Sequence, residues 1–135
     1  MNTESAKNAV EFCRIAGRDK DGKANWIEVP GHKAKRYFVK IRRIEHNGDI
    51  RRLDTDCWLD TMKGKQLCPS IGNKAESLCY HVLAAIMVVA EDAGYQVIWC
   101  SDKDGAKRLS NIRGSTFHVT SKYSNADAWG VFVAV

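Results

Sequence analysis

Proline is almost missing from this sequence, with two residues in 135. With no long polar tract beside them, that excludes a disordered or proline-rich chain. No segment reaches the roughly 18 consecutive apolar residues of a membrane span. The longest apolar run, Val82 to Ala90, closes on Glu91-Asp92. The opening Met1-Asn2-Thr3-Glu4-Ser5 has neither the basic segment nor the apolar core of a signal peptide. An intracellular protein is therefore expected, cytoplasmic or nucleoid-associated and with no membrane partner. In that setting the five cysteines do not read as a disulfide framework. Gly22 and Gly105 stand isolated, so no phosphate-binding loop is present.

Internal repeats and linkers are also lacking, and 135 residues suit one domain that buries its own core. Ala6, Ala9, Val10, Cys13 and Ala16 recur at helical spacing and predict a helix over Thr3 to Ala16, stopped by Gly17. Asn25 to Val29, Lys35 to Ile44 and Ile50 to Asp54 read as strands, the last two joined at Asn47-Gly48. Asp56 to Asn73 reads as an irregular loop. Ser77 to Ala93 is apolar nearly all round and predicts a central buried helix capped by Gly94. Tyr95 to Trp99 reads as a strand. A short helix follows over Lys103 to Ser110, capped by Ser101, and then a closing hairpin of Ser115 to Ser121 with Ala128 to Val135. The expected fold class is α+β: a small single domain, 1–135, with antiparallel hairpins around a central helix and a clamped loop. Its strand-helix-hairpin unit spans 95–135, and its final strand would be an edge unless paired.

Four candidate metal ligands surround the irregular loop: Cys57, Cys68, Cys79 and His81. Ten residues separate each successive pair of cysteines, and one residue separates Cys79 from His81. Three thiolates and an imidazole form a standard closed set for structural zinc. Two positions along a helix turn about 200°, so Cys79 and His81 can share an ion only where Cys79 lies at or before the first turn. The alternative is that these thiols are small buried apolar groups. Cys13 and Cys100 fit that alternative. If Cys57 is not a ligand, the other three plus water form an open, catalytic type of site.

Cys79-Tyr80-His81-Val82-Leu83-Ala84-Ala85 resembles the second half of a SWIM zinc finger, in which Cys-x-His opens an apolar helix. Cys68-Pro69-Ser70 resembles the second cysteine of its first half. The resemblance covers 51–93. It implies a Zn2+ cofactor and either DNA binding or protein interaction. The chain departs from the pattern at Gln66, where a cysteine is expected, and Cys57 is the one cysteine placed to substitute.

Lys33 to Arg52 carries eight basic residues against two acids, within a net charge of +5. Arg36, Lys40 and Arg42 share a strand face with Phe38, and a turn at Asn47-Gly48 would bring Arg51 and Arg52 beside Arg42 and Arg43. Like charges facing one another favour a polyanion. The candidate nucleic-acid contacts are therefore Arg36, Lys40, Arg42, Arg43, Arg51 and Arg52, with Phe38 or Trp58 for stacking. The competing readings are an edge strand charged against aggregation and a protein-interaction module working through the C-terminal sheet, Trp129 and Tyr123. No glutamate stands at the spacing of a zinc-hydrolase base, and catalysis is not expected. His32 and His46 fall in turns, and His118 falls in a strand.

Overall fold

The computed structural model describes residues 2–44, 50–69 and 78–135, organised by one mixed sheet of eight strands. Helix α1 (Thr3–Val10) leads into β1 (Arg14–Arg18) and β2 (Ala24–Pro30). A short 3-10 turn, His32–Ala34, precedes β3 (Arg36–Ile44), β4 (Arg51–Thr61) and β5 (Gly64–Leu67). Then come α2 (Tyr80–Asp92), β6 (Tyr95–Cys100), α3 (Lys103–Ser110), β7 (Ser115–Ser121) and β8 (Ser124–Ala134). The strand order is β1-β2-β3-β4-β7-β8-β6, and β5 also pairs with β4. The expected α+β class holds.

Strand β4 is the hinge of this topology. Its first half, Arg51 to Thr55, runs parallel to β7, and its second half, Trp58 to Thr61, pairs antiparallel with β5. The parallel contact welds the two halves of the chain into one sheet. Alternation along the strands assigns two faces. Ile27, Val39, Leu53, Cys57 and Val119 point inward to the main core with α1 and α2. Ile98, Val131 and Val133 point the other way, under α3 and its buried Ala106. Val82, Leu83 and Ile86 of α2 are fully buried, each contributing about 1.5–3 kcal/mol over an exposed position. This helix lies against one face of the sheet, with α1 alongside, and separate hairpins do not ring it.

Several expectations are corrected. The first helix ends at Val10. Cys13 lies beyond it, and Arg14 to Arg18 pair with β2 instead of continuing the helix. Gly17 sits at a register shift opposite Trp26, not at a helix stop. Residues 56–68 are a hairpin and not an irregular loop: β4 runs on to Thr61, and Met62-Lys63 turns the chain into β5. Residues 70–73 of that expected loop, and Ser77, lie outside the described residues, as do His46 and the Asn47-Gly48 turn. The cap of α3 is Asp102, whose carboxylate accepts the Gly105 N–H at 2.7 Å. The final strand is interior, between β7 and β6, and among the described residues the main strand path ends at β1 and β6.

Candidate metal centre

The β4–β5 hairpin fixes two of the four ligands. Trp58 pairs with Leu67, and one step further the Cys68 N–H donates to the Cys57 carbonyl at 2.9 Å. The ten-residue interval between these cysteines is therefore the length of a hairpin, which sets them side by side across two strands. Cys57 also lies opposite Val39 of β3, with both fully buried.

The start of α2 supplies the other two. Cys79 is its N-cap, in extended conformation, and His81 lies in the first turn. This is the one placement that lets a Cys-x-His pair converge. The carbonyl of Cys79 accepts the N–H groups of Val82 and Leu83 at 3.1 and 3.3 Å, which anchors the cap. The positive end of the helix dipole favours thiolate there.

The ligand atoms of Cys57, Cys68, Cys79 and His81 all lie within 4.8 Å of one another, and all four residues are buried. Sγ of Cys68 stands 3.7 Å from Nδ1 of His81. Around a tetrahedral ion, bonds of about 2.3 Å to sulfur and about 2.0–2.1 Å to nitrogen put neighbouring donors about 3.5–3.8 Å apart. Separations of up to 4.8 Å lie within about 1 Å of that spacing, and this cluster could hold a metal.

The protonation chemistry agrees with a site completed by a cation. Hydrogen bonds to Cys68 and Cys79, with burial, hold the Cys57 thiol well above its ordinary value. For Cys79 the hydrogen bond with Cys57 acts downward. Its bond to Cys68, burial and the Cys68 charge outweigh that, and the thiol is pushed up to about 12. Without a metal these thiols hold their protons. A cation must displace them.

Sequence reasoning missed the clamp on His81. The Tyr37 ring stacks on the imidazole with centroids 3.7 Å apart and 18° between planes, and Tyr80 covers it at 4.1 Å. Tyr37 itself depends on Gly31, where a Cβ would stand 2.3 Å from Cε2 of Tyr37. Pro30-Gly31 reads in sequence only as the end of a strand. Nothing there signals that the missing side chain makes room for a ring from β3.

The predicted basic set is rearranged. Arg36 pairs with Glu28, which also holds Arg14. Arg42 faces Asp54 across the strands, not Arg51 or Arg52, and its Nη2 lies 3.3 Å from Asp56 Oδ2. The Arg43 side chain lies outside the described residues. Lys40, Arg51 and Arg52 are exposed and form no ion pair among the described residues. Cys13 and Cys100 are half-buried and do not belong to the cluster. His118 stacks on Trp129 at 3.9 Å and meets Asp127 Oδ2 at 2.7 Å.

No protein-family model matches the chain, and comparisons with curated proteins and with solved structures returned no match.

Proposed function

We propose that the chain is a zinc-binding protein whose metal is structural and whose partner is nucleic acid. The observation that carries the zinc reading is the buried convergence of Cys57, Cys68, Cys79 and His81 within 4.8 Å. Three thiols and an imidazole suit zinc, which imposes no geometry of its own and takes four such donors in structural sites. The resemblance of Cys79-Tyr80-His81 to the SWIM pattern supports the same metal. A four-donor set leaves no coordination position for substrate, so the reading is a binding protein and not an enzyme. Bound zinc would join β4, β5 and the start of α2 at one tetrahedral point.

The nucleic-acid part is supported by the net charge of +5 and by the exposed Lys40, Arg51 and Arg52. Arg36 and Arg42 can contribute only by leaving carboxylate partners. Native mass spectrometry of the purified chain tests the metal. One zinc per chain is expected, lost in both Cys57→Ser and Cys79→Ser. A reduced, folded protein with no zinc would sink the proposal. Retention in Cys57→Ser would mean an open three-ligand site.

A further inference from the structure

The outer face of the sheet, turned away from α1 and α2, carries a row of aromatic rings. Trp26 of β2 stacks on Phe38 of β3 with centroids 6.0 Å apart. Phe38 lies directly opposite Trp58 of β4, and Trp58 meets Tyr123 edge-on at 5.8 Å. Phe38 is the floor at 8% exposure. Trp26 and Trp58 are half-buried, and Tyr123 is 43% exposed. Among the described residues α3 packs on β6, β7 and β8, at the far end of this face.

Cations sit on these rings. Nζ of Lys65 lies 4.4 Å from the Trp26 centroid and 5.0 Å from that of Phe38. The Arg36 guanidinium is 5.5 Å from the centroid of Phe38, and Nζ of Lys122 is 5.5 Å from that of Tyr123. Ring and positive charge therefore recur together across three strands and the β7–β8 turn. A nucleotide presents the complement of that unit, a flat π-system joined to an anion.

We infer that this face binds single-stranded nucleic acid, with Trp26, Trp58 and Tyr123 stacking unpaired bases and Lys65, Lys40 and Lys122 taking phosphates. The inference rests on nucleic acid being the partner and says which form and where. Charge decides the form. Carboxylates of Glu28, Asp54 and Asp56 already hold Arg36 and Arg42 on this face, so it is a poor cationic bed for a duplex, whose affinity comes mainly from phosphates. Rings gain nothing from a duplex, whose base faces are already stacked. A single strand leaves those faces free.

The metal cluster stands behind this face. Cys57 points inward from β4, between the outward-facing Asp56 and Trp58, and the hairpin that aligns Cys68 also carries Lys65. Holding β5 to β4 thus holds Lys65 over the rings.

The test is fluorescence anisotropy of the metal-loaded chain with a labelled twelve-residue oligothymidylate and with a duplex of equal length, across a salt series. The single strand is expected to bind more tightly. Trp58→Ala and Tyr123→Ala should each weaken it about tenfold or more, with the salt slope kept. Lys65→Ala should lower the slope by about 0.7. Tyr123 and Lys65 are exposed, so their variants stay interpretable if Trp58→Ala fails to fold. Equal or tighter duplex binding, undisturbed by Tyr123→Ala and Lys65→Ala and lost in Arg51→Glu with Arg52→Glu, overturns the aromatic platform but keeps nucleic acid as the partner. Binding of neither probe overturns both, and leaves a protein partner as the reading.

Discussion

On its inner face β4 presents Leu53, Thr55, Cys57 and Leu59, all buried, to the core and the ligand cluster. On its outer face it presents Arg52, Asp54, Asp56 and Trp58, where charges pair across strands and rings lie open. One run of backbone therefore serves two purposes. The inner side chains are held by packing and by four converging donors, so each change there propagates into the fold. Of the outer ones Asp56 is buried, while Arg52, Asp54 and Trp58 reach solvent, where water can replace a partner. The difference separates residues that make the structure from residues free to bind something else.

On the proposed reading, the sharpest way to break the inner side is to take the metal away. Chelation, or Cys79→Ser, should lower the melting temperature by about 10 °C or more, the shift produced by roughly 3 kcal/mol in a domain of this size. Calorimetry before and after chelation measures it, and an unchanged transition would contradict a structural metal. Next in size is Gly31→Ala, which drives a Cβ into Tyr37 and loosens the clamp on His81. A loss of about 1–3 kcal/mol is expected in urea denaturation, with weaker zinc retention in a chelator competition.

The pH response separates loaded from empty protein. Folded Cys57 and Cys79 titrate above the ordinary thiol value of 9.0. In the empty protein they support the fold below that value and withdraw support as pH climbs toward about 12. On the proposed zinc reading a bound ion would reverse the dependence, because binding needs thiolates: occupancy should fall as pH falls. Urea midpoints of both forms at several pH values check the two slopes. The smallest effect belongs to the outer side. Asp54→Asn weakens an ion pair with a half-exposed Arg42 and should cost less than about 1 kcal/mol, with zinc content by mass spectrometry unchanged.

The ligands were legible in the sequence because their chemistry is written in residue type: three cysteines and a histidine before an apolar run. Their convergence was half legible. Cys79 and His81 had to meet at a helix start and do. The neighbouring placement of Cys57 and Cys68 was hidden, because Asp60 to Gln66 carries little of the apolar alternation that marks a strand, and pairing alone makes it one. The overlong first helix has the same origin. Cys13 to Ala16 keep helical spacing, but pairing of Arg14 to Arg18 with β2 wins. The cross-strand neighbours of the arginines were misread because the basic run was read alone, while register brings in Asp54 and Asp56 from beyond its end.

The parallel contact of β4 with β7, which matches Arg51 with Phe117, imposes an order of events during synthesis. Every ligand has left the ribosome once His81 emerges, whereas β7 begins at Ser115. A nascent chain halted between those points carries a complete set of donors beside an unpaired strand edge. Early capture of zinc would shelter three thiols from oxidation while Arg51 to Thr55 still await their partner.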